Sequence, residues 1–148
     1  MSGVLPTFKH SPVTREVLEA VKGGQLVEAR ATGDGKRVGV AAAGSLKVLG
    51  VAGNDAYPVG TANTGTTGGG YPFVDISIPD QYVAVERNAY YKLTYAGAVA
   101  FGESVKAAAN GQVTKWVSGT DVADAKIGKC EEPGGVAAAG VGLTYVNP

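Results

Sequence analysis

The chain has 148 residues, and its 13 basic and 13 acidic side chains cancel to a net charge of zero. That length corresponds to one ordinary domain, large enough to bury a core without metal or disulfides, and the single Cys130 has no internal partner for a disulfide. The balanced charge and the lack of a basic run argue against nucleic-acid binding, and the longest apolar runs, such as Val38 to Ala43, fall far below the ~18 residues that span a bilayer.

Hydrophobic residues make up 45% of the chain, yet there are only three Phe, one Trp and one Met. A thin core of Ala and Val suits short strands better than long helices. Residues 1–12 carry Pro6 and Pro12 with Phe8, Lys9 and His10 between them and no periodicity, which predicts an extended N-terminal arm. Such an arm either frays or is ordered by a partner. The N-terminus lacks the charged and apolar regions of a secretory signal, so a soluble chain made in a cytoplasm is expected. Residues 13–148 read as one β-rich domain.

Val13 to Val21 fits both a helical face and an alternating strand. An internal repeat decides for the strand. Ala98-Val99 stands 78 positions after Ala20-Val21, and the same offset lays Gly102 on Gly24, Val105 on Val27, Ala107 on Ala29, Gly111 on Gly33, Lys115 on Arg37, Ile127 on Leu49 and Gly128 on Gly50 without a gap. Two copies are too few for a solenoid, so the offset predicts two related β-units, about 20–50 and 98–128. In the first, Gly23-Gly24 turns into a strand from Gln25 to Ala31, Thr32 to Gly35 turns again, Lys36 to Ala41 is a third strand, and Gly44 to Ala52 a fourth with Leu46, Val48 and Leu49 inward.

Gly53 to Pro72 is rich in Gly, Thr, Asn and Pro and reads as a long loop. Phe73 to Ile78 alternates most clearly as a strand, and Gln81 to Arg87 returns. The second unit repeats the plan: Tyr91 to Tyr95 enters, Ala96-Gly97 and Phe101-Gly102 turn, Ser104 to Ala109 and Gln112 to Val117 pair across an Asn110-Gly111 hairpin, and Lys126 to Glu131 and Gly142 to Val146 close the chain.

Little here points to catalysis. His10 lies in the Pro-flanked arm, where no base is pre-organised, and Cys130 beside Lys129 is better explained by packing than by reactivity. The glycines from Gly65 to Gly70 lead into Tyr71-Pro72 and a strand, with no Lys-Ser/Thr and no helix to hold a phosphate. No His/Cys spacing suits zinc, Asp121 to Asp124 is too sparse for calcium, and Glu103, Glu131 and Glu132 read as solvated charges. The expectation is a protein that is not an enzyme and needs no cofactor. Tyr82, Tyr90, Tyr91, Tyr95 and Trp116 are candidates either for a sugar-binding platform or for core and subunit contacts.

The frame Gly23 to Val27, Lys47 to Ala52, Ala98 to Val105, Ala108 to Val113 and Ile127 to Val136 resembles the capsid decoration (head cement) proteins of tailed bacteriophages, particularly phages of actinobacteria. The resemblance covers most of residues 13–146. It implies a small β-barrel or β-tulip-like domain that assembles as a homotrimer on the outer capsid surface, between major capsid subunits, and clamps the expanded shell. The partner it implies is the major capsid protein, with no nucleic acid and no membrane. On that reading Phe8, Lys9, His10 and Arg15 are the candidate capsid contacts of the arm. The alternative is a carbohydrate- or host-surface-binding β-module using exposed Tyr and Trp with the Gly53 to Pro72 loop.

Overall fold

A computed structural model describes residues 12–31, 36–58 and 81–148. Its described residues form ten strands with almost no helix: β1 (Val13–Glu16), β2 (Leu26–Arg30), β3 (Arg37–Val40), β4 (Val48–Ala52), β5 (Tyr82–Glu86), β6 (Ala89–Thr94), β7 (Ser104–Ala107), β8 (Val113–Lys115), β9 (Gly128–Cys130) and β10 (Val141–Val146). The expected mainly β domain of short strands is therefore present. The arm residues Phe8, Lys9 and His10, the turn at residues 32–35 and the expected strand Phe73 to Ile78 lie outside the described residues.

The strands form two five-stranded sheets of one plan, ordered β1-β5-β4-β2-β3 and β6-β10-β9-β7-β8. All named pairings are antiparallel. Neither sheet closes into a barrel. In each, the two edge strands meet only through one parallel bridge, Val17 with Val38 and Tyr95 with Val113, so the sheet curls without a continuous ladder across the seam.

The two sheets agree bond for bond. The amide of Gly24 donates to the Ala52 carbonyl as Gly102 donates to Cys130, and Val21 exchanges two bonds with Ala56 as Val99 does with Val136. Even a side chain repeats: the Gln25 carbonyl oxygen Oε1 accepts from the Lys22 amide at 2.8 Å, and Glu103 Oε2 accepts from the Ala100 amide at 2.9 Å. The 78 positions from Gly24 to Gly102 relate most of these pairs, but not all. Val38 corresponds to Val113, only 75 positions on, because the second hairpin is three residues tighter. The gapless offset is thus corrected at β8, where Arg37 does not stand over Lys115. The tight turn is Asn110-Gly111, with both residues at positive φ (58° and 66°), which glycine and asparagine adopt most readily.

Two apolar clusters fill the molecule. The smaller lies within the first sheet and is all Val and Ala at its centre: Val17, Val21, Val27, Val38, Ala52, Ala56, Val83 and Val85. The larger gathers Leu93, Tyr95, Val105, Ile127, Cys130 and Val146 of the second sheet around Leu26, Ala41 and Val51 of the first. Leu46 is not inward as expected: it is 57% exposed, because β4 begins only at Val48 and Leu46 sits in the preceding bend.

Candidate functional site

Directly paired residues on neighbouring antiparallel strands share a face, so the registers assign two faces to each sheet. In the first sheet Val13 and Arg15 share the inner face with Val85 and Val83, and Val51 shares the outer face with Glu86 and Leu26. That outer face is covered. Leu26 and Val51 are buried in the larger cluster with Val48 packed beside them, and Tyr91 of the second sheet is held above the ordinary phenol range by burial and then by the Glu86 carboxylate. The outer face of the first sheet therefore stacks on the inner face of the second.

The outer face of the second sheet has no sheet over it among the described residues. Its central row is Tyr90, Tyr145 and Lys129, aligned across β6, β10 and β9. The two rings pack at a centroid distance of 5.2 Å, tilted by 53°, and Tyr90 is 61% exposed. Lys126 lies over the Trp116 ring, 5.9 Å from its centroid, while the indole donates to the Val122 carbonyl at 3.0 Å. A shallow concavity joins Lys126, Lys129, Tyr145 and Asn147. The face is aromatic and basic, suited to flat contact with an apolar or acidic surface rather than to enclosing a small molecule.

The expected aromatic platform is only partly assembled. Tyr95 is fully buried, its hydroxyl 2.6 Å from Thr144 Oγ1, and burial holds its pKa well above the ordinary phenol value. Tyr91 faces the first sheet, and Tyr82 stands exposed on β5. Of the candidate capsid contacts, only Arg15 is described. It belongs to β1 rather than to an arm, opposite Val83, and lines a groove with Val13, Leu49, Val85 and Arg87. Cys130 is fully buried in the larger core. Among the described residues no group of three or more His, Cys, Asp or Glu is placed to hold a metal ion, and no helix is long and apolar enough to cross a membrane. Sequence reasoning did not single out Tyr145, Lys126 or Arg87. The alternation of Gly142 to Val146 could have put Tyr145 beside Lys129, whereas nothing local marks Arg87.

The whole arrangement can be set against known proteins. No family model matches the chain, and no curated protein matches it by sequence. Among solved structures it is similar to the N base of the head fiber gp8.5 in bacteriophage phi29, with a TM-score of 0.61 over 93% of each chain at 12% identity. The two share a fold. At that identity the likeness concerns backbone architecture, and it extends over both sheets rather than one.

Proposed function

We propose that this chain is a structural protein of a bacteriophage virion that binds the outside of the capsid, between major capsid subunits, and cements the expanded shell as a homotrimer. The observation that carries the reading is the fold shared over 93% of both chains with the base of a phage head fiber. The residue frame that resembles decoration proteins supports it from the sequence side. The outer face of the second sheet offers contact chemistry of the required kind: exposed Tyr90 in one row with Tyr145 and Lys129, and exposed Val141 farther along β10. Cementing is binding, and several modest contacts per trimer add through effective concentration.

The test is co-sedimentation of the purified protein with shells of its source phage that lack it, scored for copy number. Saturation at one trimer per local three-fold position is the expected result. A folded protein that leaves shells bare overturns the reading. A second reading, a carbohydrate- or host-surface-binding module, is favoured by the Tyr90–Tyr145 ring pair at 5.2 Å. Glycan binding that Tyr90→Ala abolishes, without shell binding, would establish it instead.

A further inference from the structure

The groove on the inner face of the first sheet is lined by Val13, Arg15, Leu49, Val85 and Arg87. We propose that it is a docking site for an extended acidic segment of another protein, laid along β1 with its carboxylates on Arg15 and Arg87. The inference does not depend on the capsid reading.

The argument starts from the other sheet. The registers place Tyr91, Leu93 and Thr144 of the second sheet at the positions of Val13, Arg15 and Val85 in the first. The 78-residue offset adds Ile127 for Leu49, and continuing β5 and β10 by two residues adds Val146 for Arg87. There the face is closed: Leu93, Ile127 and Val146 are at most 2% exposed, because the outer face of the first sheet lies over them. This part of the fold is thus a packing face, and in the first sheet none of the described elements is packed over it, with Val13 41% exposed and Leu49 only partly buried.

What covers it must differ, since arginines stand where Leu93 and Val146 stand. Arg30 and Arg37 are paired with Glu19, Glu28 and Glu16, but no carboxylate among the described residues meets Arg15 or Arg87. Two guanidiniums that no carboxylate of the described residues meets, flanking Val13, Leu49 and Val85, favour a ligand that brings carboxylates with apolar side chains between them. The edge position of β1 favours an extended one: among the described residues β1 is the outermost strand of its sheet and meets β3 only through the Val17–Val38 bridge, and a strand added there gains main-chain bonds while alternate side chains fall over the groove.

A second copy docked as the first sheet docks on the second is disfavoured by charge. It would bring Lys126 and Lys129 to the places held within the chain by Val48 and Val51, 78 positions earlier, and so set lysines against Arg15 and Arg87.

The probe is a labelled eight-residue peptide, Glu-Thr-Val-Thr-Glu-Thr-Val-Thr in sequence, whose alternate positions put both Glu and Val on one face of a strand, titrated into the full chain with anisotropy and amide chemical shifts as readouts. Saturable binding is expected, with shifts centred on Val13, Leu49 and Val85, weakening as salt rises. The double variant Arg15→Gln/Arg87→Gln should lose about tenfold or more in affinity, whereas Arg87→Lys, which retains the charge, should lose less. The same peptide with Lys for Glu should not bind. Equal binding of the two peptides, wild-type affinity in a folded double variant, or shifts centred elsewhere would overturn the proposal. So would self-association of the free chain that the double variant abolishes, since the occupant would then be a second copy.

Discussion

The two sheets share strand order and register, yet one carries the larger core and the other the groove at Arg15 and Arg87. The difference lies in a few side chains on an unchanged backbone plan. Where the second sheet has Leu93 under the first sheet, the first has Arg15 at a groove. Where the first sheet has Val51 buried, the second has exposed Lys129. A repeated fold thus stacks its halves head to tail: one interface is spent inside the chain, and two unequal faces remain outside.

The largest expected effect tests what the sheets have in common. A Cβ on Gly128 would lie 2.0 Å from the Tyr145 carbonyl oxygen, and one on Gly50 would lie 2.2 Å from that of Glu86. Both contacts are with backbone, which cannot swing aside. Gly128→Ala should cost about 4 kcal/mol in urea unfolding, the upper end for a single substitution, and Gly50→Ala a similar amount. A loss below about 1 kcal/mol in either would show that the sheet absorbs the methyl group and that the equivalence of the two glycines is not steric.

The next largest effect should separate the sheets. Leu93→Ala empties a fully buried position and should cost about 3 kcal/mol. Arg15→Ala, at the equivalent place, should change stability by less than about 0.5 kcal/mol. Comparable losses at the two positions would mean that the groove is packed as tightly as the core.

The smallest effect concerns pH. Glu103 is held below the ordinary carboxylate range by the hydrogen bond from Lys115 and then by the Ala100 amide, and Asp121 by Lys106 and then the Val117 amide. The folded values are depressed, so the stabilisation is present above the ordinary carboxylate range and is lost as pH falls through the lowered values. Both groups lie at the surface and are only partly buried, so the effect is local. Amide protection in β7 and β8 should fall more than in β2 and β3 between about pH 4 and pH 2, and Lys115→Met with Lys106→Met should remove the difference. An equal decline in both hairpins would show that neither pair is formed in solution.

Most strands were legible because alternation and glycine turns are local signals. Tyr82 to Glu86 and Ser104 to Ala107 are such cases, alternating between buried and half-exposed positions. Leu46 misled because an apolar residue near a strand start reads as inward until the strand's first bonded residue is known. Arg15, grouped with the arm because it follows it in the chain, pairs with Val83 and so stands on a sheet, which only the register reveals. The gapless repeat failed at β8 because a hairpin shortened by three residues leaves the flanking glycines in step.

By itself, the sequence determined a β domain of small side chains, the turns at Gly24, Gly102 and Asn110-Gly111, and the relation between Gly24 and Gly102 or Gly50 and Gly128. These follow from residue chemistry along a short stretch of chain: branched side chains favour extended backbone, and glycine alone tolerates the tight approaches. Only the tertiary structure decided which face of each sheet is covered. Leu26, Val51 and Leu93 are no more apolar than Leu46 or Val141, and they are buried because the first sheet stacks on the second. That stacking sums contacts between residues far apart in the chain, a quantity no local pattern encodes, and it leaves Arg15 and Arg87 on one side and Tyr90 and Lys129 on the other.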